Sequence, residues 1–269
     1  MKERLLAAAV GLVPVLGAIL FGGVLGVQII VFIALLIGLD EYARMAVPSR
    51  PRETSAALCL TGGAIYALLQ WGDLRVALAV LALSAAGLMT AAMIRVPDTD
   101  EGAKVALRLV AGLVYVPVLF SFLPALRELD PGSAGVAWVF LVLVITWFGD
   151  TGAYFAGRFL GKHKLFERVS PKKTWEGAIG GMVAAVGGAV LVTQLGLPKV
   201  GVHHAIILGV VVDAIGIVGD LVESMLKRAF GVKDSGWIMP GHGGILDRVD
   251  ALLFTAPAVW LYARAFDLG

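Results

Sequence analysis

Charge is scarce in this chain and cysteine nearly absent. Of 269 residues, 16% are charged and 59% hydrophobic, and the mean hydropathy is +0.88. A soluble domain averages about 25% charged and about 45–50% apolar residues. The composition therefore excludes an ordinary soluble globular fold and points to a polytopic membrane protein. The single cysteine, Cys59, excludes an internal disulfide; it lies in an apolar run and is expected to be a packing residue. No soluble domain, low-complexity tract or clear internal repeat is visible. The start, MKERLLAAAVGLVPVLGAILFGGV, has the basic and apolar parts of a signal peptide but no convincing small-residue cleavage site after them. It is expected to remain as a first helix. The net charge of +2 says little, because the charges are segregated rather than spread.

What the chain has in abundance is apolar runs. A membrane span needs about 20 mostly apolar residues, and nine candidates are present, at roughly 5–23, 25–40, 54–71, 75–94, 105–124, 135–157, 177–197, 203–226 and 249–266. The expected fold is all-α: an integral membrane helical bundle of about nine transmembrane helices in one domain, 1–269. About five spans fall in 1–130, and about four in 131–269 together with the polar loops. Nine spans put the termini on opposite sides. With the N-terminus in the cytoplasm, Arg75, Arg127, Lys199 and Arg264 lie outside and the other eighteen of the 22 Lys and Arg lie inside. Setting aside the ten cations of the two most polar loops still leaves eight against four, as the positive-inside rule requires.

Those two loops share the cytoplasmic face. The first follows WFGDTGAYFAG and reads GRFLGKHKLFERVSPKKTWEG. Asp150 lies within its preceding apolar run, where a carboxylate costs about 2.5–3.5 kcal/mol on insertion scales; a metal, a cation or cavity water must offset that, or a structural pairing with a basic residue at the helix end. Ser170 and Thr174 are candidate N-caps, with Pro171 suited to a first helical turn. Lys172 and Lys173 beside a helix N-terminus suit an anion, although two lysines can also serve only as topology anchors.

The second loop is entered from the run HHAIILGVVVDAIGIVGDLVESMLKR. Asp213, Asp220, Ser224 and Lys227 fall at i, i+7, i+11 and i+14, close to one stripe of a helix, with Glu223 beside it. Apolar residues fill the other faces, so the stripe is expected to face the bundle interior or a cavity. Asp213, the deepest, suits either an ion or second-layer role or a purely structural hydrogen bond. Gly209, Gly216 and Gly219 leave room for a neighbouring helix or a ligand. The loop itself adds Arg228, Lys233, Asp234, His242, Asp247, Arg248 and Asp250, with five glycines from Gly231 to Gly244. Lys and Arg make strong charge-assisted bonds to phosphate. Carboxylates beside them suggest Mg²⁺, which takes one or two carboxylates plus substrate phosphates. A solvated connector would explain the glycines and charges, but not this alternation of both signs against an apolar helix. His163, His203 and His204 lie at span ends and are expected to face the interface. Trp138, Trp147 and Trp260 read as packing and belt residues, and the position of Glu41 leaves its role open.

The residues point to phosphoryl or nucleotidyl transfer between a soluble nucleotide and a lipid phosphate, without choosing either substrate. The pattern S-x-x-K-R-x4-K-D-x-G-x3-P-x-H-G-G-x2-D-R-x-D, carried by Ser224 to Asp250, resembles the signature of the CDP-diacylglycerol synthases (phosphatidate cytidylyltransferases). Asp150 to Tyr154 and Ser170 to Trp175 resemble two further segments of that family. The resemblance covers the C-terminal half, about 150–250. It implies CTP and phosphatidate as substrates, membrane lipid and no nucleic acid as partners, CDP-diacylglycerol and pyrophosphate as products, and a homodimer. It also implies Mg²⁺, with a second metal or a monovalent ion left open. Asp220, Lys227, Asp247 and Asp250 are then the candidate catalytic residues, and Asp220, Asp247 and Asp150 the candidate metal ligands. Lys172, Lys173, Ser224, Arg228, Lys233, Asp234, His242 and Arg248 are the candidate substrate-binding residues. The expected location is the inner (cytoplasmic) membrane, with the active site facing the cytoplasm. The alternatives are a CTP-dependent kinase of a polyprenol or phytol and, further off, an ion-coupled transporter.

Overall fold

Apolar runs of this length bury their backbone polar groups most cheaply as helices, and helices are what a computed structural model of the chain contains. It describes residues 2–238 and 243–269, with side chains from residue 11. Among these residues there are ten α-helices: α1 (Lys2–Phe21), α2 (Gly23–Ala46), α3 (Pro51–Trp71), α4 (Leu74–Arg95), α5 (Thr99–Leu113), α6 (Phe122–Arg127), α7 (Ser133–Leu160), α8 (Trp175–Gly196), α9 (Val202–Ala229) and α10 (Leu246–Ala265). Each of the nine expected apolar runs falls on helix. Among the described residues six stretches are long and apolar enough to cross a membrane: α2, α4, the stretch Thr99–Arg127, α7, α8 and α9. Large apolar side chains such as Leu60, Leu83, Met93, Val183 and Leu195 stand exposed, as befits a lipid-facing surface. The chain is an integral membrane helical protein.

Two departures from the expected elements have local causes. The fifth run is not one α-helix, because Pro117 has no N–H to donate. Residues Val114–Val118 widen into a π-turn between α5 and α6. The connection after α7 is not wholly irregular either. It holds a two-stranded antiparallel hairpin, β1 (Lys164–Phe166) and β2 (Ser170–Thr174), in which Lys164 pairs with Thr174 and Phe166 with Ser170. Ser170 and Pro171 therefore sit in a strand, not at a helix start. The expected N-cap is Thr174 alone, whose Oγ1 accepts the Gly177 N–H at 3.1 Å.

The chain divides into two compact units. The first comprises Met1–Leu16, Leu25–Ser121 and Phe230–Arg248, and the second Gly17–Val24, Phe122–Ala229 and Val249–Gly269. In the first, α2 and α3 meet where Gly62 admits the Leu39 side chain, and the buried Tyr66 hydroxyl donates to the Gln28 carbonyl at 2.9 Å. The Tyr42 ring lies against Gly112 of α5, and its hydroxyl donates to the Arg108 carbonyl at 2.8 Å. In the second, small residues set the spacing of α7 and α8. A Cβ on Gly180 would lie 2.2 Å from the Ala156 Cβ, and one on Gly181 2.8 Å from the Gly149 carbonyl oxygen. On α9, Gly209 meets the Val186 backbone and Gly219 the Asp250 carbonyl and Phe254. Gly209 and Gly219 thus admit neighbouring helices.

Candidate functional site

The second unit contains a cavity of about 340 Å³ between α7, the hairpin, α8, α9 and α10, within the size range of small-molecule sites. Its floor is apolar, formed by residues such as Ala153, Val212, Ile217 and Ala251. Asp150, Asp213, Lys172, Lys173 and Arg158 supply the charge. Small residues keep it open: Gly149, Gly157, Gly177 and Gly216 all line it.

Helix periodicity places the acids. On α9, Asp213 is buried and lines the cavity, as the stripe predicts. Its Oδ1 lies where a Cβ on Gly149 would be only 2.0 Å away, and its Oδ2 has no hydrogen-bond partner among the described residues. The charge of Asp150 acts on it from one side and that of Lys173 opposes. Two turns further along the stripe, Asp220 accepts from Lys173 Nζ at 2.7 Å and from the Ser224 hydroxyl at 3.2 Å. Lys227 donates to Glu223 at 3.0 Å with both groups buried. Asp250, at the start of α10, accepts the Ala251 N–H at 2.7 Å, and the charges of Asp220, Lys227 and Asp150 act on it. The structure thus brings Asp150, Lys172, Lys173, Asp213, Asp220, Ser224, Lys227 and Asp250 together in one unit. Lys172 is exposed and Lys173 half-buried. Arg228 belongs to the same unit and is exposed.

Gly149→Ala follows directly from this packing. The added methyl must displace Asp213 or separate α7 from α9, and overpacking of this kind costs about 1–3 kcal/mol. A lowered melting temperature in detergent is expected; one equal to wild type would show that the Asp213 carboxylate moves aside freely.

The first unit holds a second polar cluster. Asp247 lies at the start of α10, and its Oδ2 accepts three hydrogen bonds at 2.8 Å, from the Ser235 N–H, the Ser235 hydroxyl and the Gly244 N–H. Gly243 has φ +81°, a conformation glycine adopts without penalty; a Cβ there would also lie 2.5 Å from Asp247 Oδ2. Lys233, Asp234 and Arg248 are exposed. His242 lies outside the described residues, as do Pro240 and Gly241.

Two groups of the structure are absent from the candidates drawn from the sequence. Arg158 and Tyr154 line the cavity, the Arg158 Nη1 donating to the Tyr154 hydroxyl at 2.7 Å. Their signal was present, since Asp150, Tyr154 and Arg158 repeat every four residues and so share a helix face. Glu41 is buried and bonded to the loop before α10; no local pattern announces that contact.

Among the described residues no group of three His, Cys, Asp or Glu side chains is arranged to hold a metal ion by itself. The donor chemistry nevertheless fits Mg²⁺. The acids offer oxygen only, one of them is an orphaned buried carboxylate oxygen, and Mg²⁺ characteristically completes its shell with water and substrate phosphates.

Comparison with known proteins agrees with this chemistry. The chain is 42% identical over 157 residues to a phosphatidate cytidylyltransferase of Bacillus subtilis (strain 168), covering 57% of this chain and 56% of that protein. It is 43% identical over 156 residues to the protein of that name in Brucella suis biovar 1 (strain 1330), covering 58% and 57%. Against that of Staphylococcus aureus (strain COL) it is 44% identical over 147 residues, covering 54% of each. The chain thus spans just over half the length of the curated relatives it matches. A family model matches far more of it, residues 2–266, and carries the description cytidylyltransferase family. With lysines and carboxylates grouped within the residues that this match embraces, the chain belongs to the cytidylyltransferase family.

Proposed function

We propose that the protein transfers the cytidylyl group of CTP to phosphatidate, giving CDP-diacylglycerol and pyrophosphate. The observation that carries the reading is a cavity whose lining combines the cations Lys172, Lys173 and Arg158 and the carboxylates Asp150 and Asp213 with apolar residues. Such a site suits a phosphate attached to acyl chains. The names of the relatives support the choice of CTP and phosphatidate.

In this reaction a phosphate oxygen of phosphatidate attacks the α-phosphorus of CTP. A new P–O bond forms, the bond between the α-phosphorus and the bridging oxygen breaks, and pyrophosphate leaves with that electron pair. The nucleophile is already an anion at neutral pH, so no general base is needed. Catalysis then rests on positioning and neutralisation of charge. Lys172 and Lys173 bind the lipid phosphate. Lys227, Arg228, Lys233 and Arg248 bind the nucleotide phosphates, with Ser224, Asp234 and His242 orienting groups around them. Asp220 and Asp247, with Asp150 as a further carboxylate, are the proposed ligands of Mg²⁺, which when bound neutralises phosphate charge. Asp250 supports them.

The chain is proposed to cross the inner membrane nine times, with the N-terminus and the reaction on the cytoplasmic side, and to act as a homodimer. The cation asymmetry supports the orientation. In a Cys59→Ala background, Lys164→Cys is expected to react with an impermeant thiol reagent only from the cytoplasmic side, and Lys199→Cys only from the outside. The reverse pattern would invert the topology. The reaction itself is checked in the soluble products: pyrophosphate in step with lipid product supports cytidylyl transfer, whereas CDP in its place would mark a kinase.

A further inference from the structure

Glu41 is a buried carboxylate of α2 that takes its partners from the far end of the sequence. Its Oε1 accepts the Ile245 N–H at 2.9 Å, and its Oε2 accepts the Leu246 N–H at 3.0 Å and the Ser235 hydroxyl at 3.3 Å. It lies between two glycines of the signature: a Cβ on Gly236 or on Gly244 would come within 2.5 Å of Glu41 Oε1. One turn before it on the same helix, Gly38 receives the fully buried Leu246 side chain, whose Cδ2 would lie 3.0 Å from a Cβ there. The start of α10 is thus held on α2 by a socket for Leu246 and a carboxylate for the first N–H groups, where a helix offers its unsatisfied donors and positive end.

The same loop aims Asp247. Ser235 is the hinge between the two acids, for its hydroxyl lies within hydrogen-bond reach of Glu41 and of Asp247 Oδ2, and it accepts the Asp247 N–H at 3.3 Å. One hydroxyl proton cannot serve both carboxylates fully; the shorter contact, 2.8 Å, is to Asp247. Glu41 instead anchors the backbone on either side of the hinge. Among the described residues its hydrogen-bond donors are neutral N–H and O–H groups, and the charge that acts on it is that of Asp247, of the same sign. Burying a carboxylate beside a second one is a costly way merely to cap a helix. It is a direct way to fix the direction of an acid that must meet a cation.

We propose that Glu41 is a positioning residue of the reaction, which by holding Ser235, Ile245 and Leu246 fixes the Asp247 carboxylate for ion binding. The inference rests on the cytidylyltransferase reading and on Asp247 as an ion ligand. Neither depends on Glu41, which lies outside the signature.

The test compares full-length wild type, Glu41→Gln and Ser235→Ala in detergent by three readouts: thermal melting, Mn²⁺ binding followed by the electron paramagnetic resonance of the free ion, and steady-state transfer from CTP to phosphatidate. Glutamine keeps the size and one acceptor but puts an amide donor opposite a backbone donor. Groups that orient a ligand are worth about 10–100-fold in metal affinity or activity. The expected result for Glu41→Gln is at least a tenfold loss in Mn²⁺ affinity and in kcat, with KM for phosphatidate and the melting temperature close to wild type. Ser235→Ala, which leaves the Ser235 N–H in place, is expected to show a smaller loss of the same kind. An active wild type with a Glu41→Gln variant of unchanged Mn²⁺ affinity and kcat overturns the inference alone. Losses that only follow a lowered melting temperature overturn it too, making Glu41 a structural cap. A wild type that transfers no cytidylyl group overturns the underlying reading, and the inference falls with it.

Discussion

Asp220→Ala is expected to lower the rate of CDP-diacylglycerol formation by about 10²–10³-fold, the range found when one preorganised electrostatic group is removed from an active site. The size of the effect follows from what Asp220 does at once. It holds Lys173 at 2.7 Å and the Ser224 hydroxyl at 3.2 Å, and it is a proposed ligand of Mg²⁺. Alanine releases the lysine from its position beside the cavity and removes an oxygen donor in the same step. Asp220→Asn separates these roles. It keeps the volume and a hydrogen-bond acceptor for Ser224, but loses the charge that draws both the ammonium and a divalent ion. Its rate should therefore fall nearly as far as that of alanine, with the melting temperature retained. The pair is partly exposed, so its contribution to stability is small. A rate for Asp220→Asn within a few-fold of wild type would remove Asp220 from the reaction.

The second large effect concerns Lys227, where stability and chemistry must be separated. Lys227 and Glu223 form an i,i+4 pair in the last turns of α9, both buried. Removing one partner of a buried pair costs about 3–5 kcal/mol, because the other charge stays buried and loses that partner. Lys227→Ala is thus expected to lower the melting temperature markedly and to abolish transfer, a result that alone cannot say which loss caused the other. The double variant Glu223→Leu/Lys227→Met decides. Replacing both charges by apolar groups of similar size is often neutral for folding, so the melting temperature should recover. Transfer should not recover, since the ammonium proposed to bind phosphate is still missing. A double variant that is both stable and active would reduce Lys227 to a structural role.

These expectations depend on features of unequal legibility. The spans could be read because a membrane helix leaves an apolar run of defined length, and each expected run falls on helix. The α9 stripe could be read because a period of 3.6 residues carries Asp213, Asp220, Ser224 and Lys227 to one side, where the structure places them. The hairpin Lys164–Thr174 could not, since strands of three and five residues leave too short a period, and Pro171 suits an edge strand as well as a first helical turn. The break at Pro117 was marked by the proline, but its apolar surroundings concealed it within a span. Glu41 lay beyond reach for a different reason. Its partners are up to 205 residues away, and such a contact leaves no mark in either local sequence. The signature showed which residues of 235–247 are special, and the structure adds what Gly236 and Gly244 leave room for.

In the proposed reaction the group moved is cytidylyl, and it moves to phosphatidate. The most direct measurement uses purified protein in detergent with phosphatidate, Mg²⁺ and CTP labelled in either the α- or the γ-phosphate. The proposed reaction places the α label in the lipid and the γ label in pyrophosphate. A γ label recovered in lipid, with CDP left in solution, would contradict it.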